Sequence, residues 1–274
     1  MKKNGETSEN VYTQLILALF QRYWRKGINS FAFERQELEH LAKHLNIRLP
    51  KNIGDVLYSF RYRVPLPNAI ARKAPEGYEW VIEGTGRSRY EMRLIKKALI
   101  VPRVDLVATK IPDATPEITS MYALNDEQAL LAKVRYNRLI DIFLGITAYS
   151  LQNHLRTTVP KIGQIEIDEV YVAVDKHGIH YVVPVQAKGG SDRHSVVQTR
   201  QDIQCCILKF PNLICRSVSA QFMADGIIAM FELTLEKNDD VKVVQERHYR
   251  LVASDSLSAE DLLNYRFRRT PPES

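Results

Sequence analysis

The sequence predicts an α/β protein of two domains, the first mostly helical and the second layered around a central mixed sheet. Three observations carry this. Apolar residues recur at helical spacing three times before residue 62, then give way to alternation around a Gly-Thr-Gly break. Beyond residue 125 the patterns run helix, paired strands, helix, strands, the order of an α/β layered domain. A chain of 274 residues is also long enough for two units, each burying its own core.

Taken in order, Val11 to Lys26 places Leu15, Leu19, Tyr23 and Trp24 near one stripe, which predicts an amphipathic helix. A second helix is expected from Glu34 to Leu45, with Leu38, Leu41 and Leu45 inward. Pro50 suits the first turn of a third, running to about Tyr62 with Ile53, Val56, Leu57 and Phe60 as its apolar side. The stretch GYEWVIEGTGRSRYEMRLI alternates, breaks at Gly84-Thr85-Gly86 and alternates again, predicting a β-hairpin with a basic arm. Three helices and a hairpin follow the order of a winged helix, a helix-turn-helix variant whose third helix can enter a DNA groove. Lys51, Arg61 and Arg63 near the third helix, with Arg87, Arg89 and Arg93 on the wing, are then the residues placed for phosphates. Packing against other protein is the plainer use of such a unit.

Charge points the same way. The chain carries a net +6 with a pI near 9.1, and residues 1–110 hold 20 Lys and Arg against 11 Asp and Glu. A polyanion-binding N-terminal half is expected, and double-stranded DNA is the expected partner. With 45% hydrophobic and 26% charged residues, the composition is neither disordered nor fibrous. The start, MKKNGETSENVYTQ, turns polar after its lysines, and LILALF is too short for a signal core or a span, so a cytoplasmic protein without membrane contact is expected. Cys205, Cys206 and Cys215 offer neither a CxxC pair nor an even framework and read as reduced core thiols. His40 and His44 have ligand spacing but lack the glutamate of HExxH and a third partner.

Residues 101–121, with Pro102, Pro112 and Pro116, show no sustained period and read as a connection, placing the domain boundary near 115: residues 1–115, then 116–274. The run DEQALLAKVRYNRLIDIFLGI predicts one helix, and Tyr149 to Thr157 a further short one. Two strands follow in IEIDEVYVAVDKHGIHYVVPVQAKGG, a helix from Ser195 to Phe210, and three strands between Leu213 and Val252.

The two strands carry the chemistry. Gly178 suits the left-handed position of a three-residue hairpin loop, so Asp175 should pair with Ile179. That register sets Asp168 across from Gln186 and Glu166 across from Lys188, all on one face, with Glu169 on the other. A carboxylate and an amide oxygen can hold a hard divalent cation while a lysine orients water or steadies phosphorane charge. A surface ion pair between Glu166 and Lys188 is the plainer reading, but the long apolar runs VYVAV and YVVPV belong to a covered sheet.

This stretch resembles the PD-(D/E)XK, or restriction-endonuclease-like, nuclease superfamily: an acid on one strand, a turn, then acid-any-lysine on the next. Asp168 best matches the first acid, and Gln186-Ala187-Lys188 matches the rest. The resemblance spans about 125 to 222, including both flanking helices. It implies a restriction-endonuclease-like α/β domain and a Mg2+-dependent endodeoxyribonuclease, with Mn2+ able to replace Mg2+. Asp168, Gln186 and Glu166 would be metal ligands and Lys188 would act on the attacking water. Cutting both strands takes two sites, which a homodimer would supply. Two departures stand out: no proline precedes Asp168, and Gln186 stands where an acid is usual. Glu166 could restore the charge, Glu169 becomes the alternative ligand if a bulge intervenes, and Glu127 on the preceding helix could add a further acid, although an exposed helix-start glutamate is the commoner role. The alternatives are a non-catalytic DNA-binding protein on a degenerate nuclease fold, and an RNA-processing nuclease.

Overall fold

In the computed structural model, residues 6–267 are described apart from 50, 51, 63, 99, 124–126, 161, 191, 193 and 238. The chain opens with α1 (Glu6–Tyr23), β1 (Ser30–Glu34), α2 (Arg35–His44), α3 (Gly54–Tyr62), α4 (Asn68–Ala71), β2 (Tyr78–Gly86) and β3 (Arg89–Lys96). The three expected helices and the hairpin are present. Leu15, Leu19, Leu38, Val56 and Leu57 line their shared core, but Leu45 caps α2 and is exposed. Sequence reading passed over β1, although SFAFE alternates and buries Phe31 and Phe33. It pairs antiparallel with β3, giving the order β1-β3-β2. Glu34 ends this strand and caps α2 through a reciprocal arrangement with Glu37.

The chain continues through β4 (Thr109–Pro112), α5 (Glu117–Tyr122), α6 (Glu127–Tyr136), α7 (Leu139–Leu144), β5 (Thr147–Val159), β6 (Gly163–Val174), β7 (His180–Lys188), α8 (Val196–Lys209), β8 (Ile214–Cys215), β9 (Ser217–Phe222), β10 (Ile227–Leu235), β11 (Val241–Val252) and α9 (Ala259–Phe267). Its strands form one mixed sheet in the order β4-β11-β10-β9-β7-β6-β5, with β8 beside β7. The expected connection thus contains a strand: β4 lies parallel to β11.

Two expectations about helices are corrected. The run from residue 126 to 146 forms two helices, because the buried Asn137 side chain takes the Ala114 N–H at 2.7 Å and Arg138 turns left-handed at φ +50. Residues 149–157 are strand rather than helix: they belong to β5, which pairs with β6 along nearly its whole length. Most of β5 is exposed, so its own apolar period is weak and the backbone of its neighbour decides.

The hairpin between β6 and β7 has the expected register, from Glu169 opposite Val185 to Val174 opposite His180. Gly178 is left-handed at φ +80, and the Asp175 N–H donates to the Ile179 carbonyl at 3.1 Å. On the far side β7 pairs parallel with β9, placing Gln186 beside Ser219 and Lys188 beside Gln221. Residues 182–187 are therefore buried on both faces: Val183, Val185 and Ala187 lie in the core that α6 and α7 cover, and Val182 packs with Cys205 and Cys206 of α8. Cys205, Cys206 and Cys215 are free thiols.

Candidate active site

The site lies where β6 and β7 stop pairing. Their ladder ends at Glu169 and Val185, and β5 pairs with Ile167 and Glu169 but skips Asp168, opposite a left-handed His154 at φ +48. Ile165 and Ile167 join the same core cluster as Val170 and Val182, so the strand changes phase between Ile167 and Val170. Freed from the ladder, Asp168 accepts the Ala187 N–H at 3.0 Å through Oδ2. Burial raises its carboxyl above the ordinary range, against the pull of that N–H and of the Lys188 ammonium.

Lys188 ends β7 with its side chain only 14% exposed, and its Nζ lies 3.5 Å from Glu127 Oε1 at the start of α6. Glu127 is half-buried at the start of α6 and pairs with Lys188 there. Burial raises its carboxyl too, with Lys188 opposing and Asp168 reinforcing the shift. Gln186 is buried, and its Nε2 donates to Asp202 Oδ2 at 2.6 Å from α8. Gln186 Oε1 and Asp202 Oδ1 are both buried without a hydrogen-bond partner. Burial pushes the Asp202 carboxyl well up, opposed by the Gln186 bond and reinforced by Asp168.

The loop after Lys188 is tied down by a second buried group. His194 Nε2 bonds Gln221 Oε1 at 3.0 Å, and its Nδ1 bonds Ser219 Oγ at 2.5 Å. Gln221 Nε2 in turn donates to the carbonyls of Gly190 and Asp192. Burial lowers the imidazole to about 4, so it is neutral at pH 7.

Glu166, expected opposite Lys188, faces β5 instead, 3.1 Å from Arg156 Nη2 and 3.5 Å from His154 Nδ1. Glu169 is fully buried on the other face, where Arg135 Nε and Ser150 Oγ donate to it at 2.8 and 2.6 Å. Asp168, Lys188 and Glu127 are brought together, and the Gln186 side chain bonds Asp202 beside them; Glu166 pairs with β5 but stays within electrostatic reach of Asp168, and Glu169 is turned to other partners. Sequence reasoning missed Asp202 and His194. The signal for Asp202 was a carboxylate among Thr199, Ile203, Cys205 and Cys206, all of which α8 buries.

No protein-family model, curated protein or solved structure matches this chain.

Among the described residues no three His, Cys, Asp or Glu side chains stand at metal-holding spacing. The donors present are nonetheless all oxygen: the carboxylates of Asp168 and Glu127, and the unpartnered amide oxygen of Gln186. An amide and carboxylates fit a hard divalent cation, which takes oxygen ligands and keeps water. An orphaned buried acceptor is the position such a cation or its water would relieve.

Of the arginines expected at phosphates, Arg87 is exposed at the β2–β3 turn, and the exposed Arg89 pairs with Glu34 at 3.6 Å. Arg93 pairs with Glu83 at 3.5 Å. Arg61 lies over the Tyr62 ring at 4.7 Å with Nε and Nη2 buried. Lys51 and Arg63 lie outside the described residues. Among the described residues no helix is long and apolar enough to cross a membrane.

Proposed function

We propose that this protein is a magnesium-dependent DNA endonuclease of restriction type, with a winged-helix unit that grips duplex DNA and a restriction-endonuclease-like domain that hydrolyses its backbone. The observation that carries the reading is the meeting of Asp168, Lys188 and Glu127 from β6, β7 and α6, beside Gln186, at one end of a mixed sheet. Strand β1 adds support for the winged helix: it joins a hairpin preceded by three helices, and the turn of that hairpin carries two exposed arginines.

In this reading Asp168, Glu127 and the Gln186 oxygen hold Mg2+. When bound, the ion polarises the scissile phosphate and acidifies a water. The chain's own groups do the rest. The Lys188 ammonium steadies the negative charge that develops on the phosphoryl oxygens and orients the attacking water. Glu127, 3.5 Å from Nζ, keeps that ammonium aimed at the site. The partial burial of both groups strengthens these interactions over their value in water. Arg87 and Arg89 fix duplex phosphates at a distance from the chemistry.

The test is nicking of supercoiled plasmid by the purified full chain. Cleavage with magnesium, none in EDTA, and a loss of at least about 10²-fold in Lys188→Ala with plasmid binding retained is the expected result. Plasmid binding without magnesium-dependent nicking by the wild type would leave a DNA-binding protein on a nuclease-like scaffold.

A further inference from the structure

We infer that Asp202 is a positioning residue of the metal site: it orients the Gln186 amide so that Oε1 faces the cation. The inference rests on the nuclease reading above. It starts from a constraint on the amide. Gln186 Nε2 donates to Asp202 Oδ2 at 2.6 Å, so Oε1, the other end of the same planar amide, points away from Asp202. That oxygen is then left buried with no hydrogen-bond partner, an unfavourable arrangement unless something else satisfies it.

Nothing in plain packing explains a carboxylate at this position. Asp202 is 1% exposed, on the face of α8 that meets the sheet, and its other oxygen is also unpartnered. Electrostatically it senses Asp168 and Lys188, so it belongs to the same neighbourhood as the proposed site. A side chain that holds a ligand through one hydrogen bond from behind is a common way to fix that ligand's orientation.

Two variants of the full chain test this. Asp202→Asn keeps the size but puts on α8 a side chain that can donate as well as accept, so the Gln186 amide is no longer held in one orientation. Gln186→Glu combined with Asp202→Asn reverses the hydrogen bond, so that the amide on α8 donates to the carboxylate on β7. Binding of Mn2+ is measured by the loss of the free-ion paramagnetic resonance signal, without DNA, with thermal melts alongside. Asp202→Asn should weaken Mn2+ by about 10–100-fold, the usual loss when such a partner is removed, and the double variant should recover most of it. Wild-type affinity in Asp202→Asn, or a folded double variant that binds no better than Asp202→Asn, overturns the role of Asp202. If Asp202→Asn does not fold, the double variant decides alone: wild-type binding supports the role and weak binding overturns it. The nuclease reading fails separately, when wild type and Asp168→Asn bind Mn2+ equally and the wild type does not nick DNA; the Asp202 role then falls with it.

Discussion

At the scale of single residues, His194 shows how burial fixes a protonation state. The unfolded chain protonates this imidazole below about pH 6.5, while the folded chain resists until about pH 4. Its stabilising contribution is therefore complete above pH 6.5 and is lost as pH falls toward 4. The gap corresponds to about 3 kcal/mol at most. His194→Gln should flatten the fall of melting temperature between pH 6.5 and 4, and an unchanged slope would show that another group carries it. Lys188, Asp168 and Gln186 were legible in the sequence because strand alternation and a turn glycine fix which residues oppose each other. Asp202 was not, and Glu127 was named only as a further acid that the resemblance allows, because two helices bring them there from 14 residues after Lys188 and 41 before Asp168. Such meetings are set by packing, which no local period reports.

Elements repeat the lesson with backbone in place of side chains. The helices of the first unit and the β6–β7 hairpin were readable because their own periods decide them. The strand β5 was not, because its partner decides it. Gly84 offers a test where two elements touch: a Cβ there would meet the Ile162 carbonyl at 2.5 Å and Arg61 at 3.3 Å. Gly84→Ala should cost about 1–3 kcal/mol through overpacking, read by urea unfolding. A neutral result would mean that the turn before β6 yields freely. The β2–β3 turn carries the second test. Arg87→Ala with Arg89→Ala should reduce the slope of log affinity for duplex DNA against log salt by about one unit for each phosphate no longer engaged. An unchanged slope would remove the hairpin from the DNA interface. Arg93 and Arg61 are poor choices for that experiment, because both are partly buried where they are engaged, whereas Arg89, though paired with Glu34, stays largely exposed.

For the whole molecule, the decisive joint is between the small sheet and the large one. Arg200 of α8, 5% exposed, pairs with Glu83 of β2 and lies 3.6 Å from Asp239. Gln201 is buried and accepts the Tyr62 hydroxyl of α3 at 3.0 Å. Ile95 and Ile100 complete the joint by packing with Ala229, Phe231 and Val196. Arg200→Ala leaves Glu83 short of its main partner and should lower stability by about 3–5 kcal/mol in denaturant unfolding. A loss near zero would mean that the apolar contacts alone hold the two sheets together. Arg200, Gln201 and Asp202 are consecutive, and they point about 100° apart into β2, α3 and β7. A single turn of α8 is thus a shared axle, bonded at once to Glu83, Tyr62 and Gln186 through three consecutive residues. Because coupling between two binding sites is reciprocal, any ligand that grips one end of this axle and changes affinity at the other must be favoured by the second ligand to the same degree.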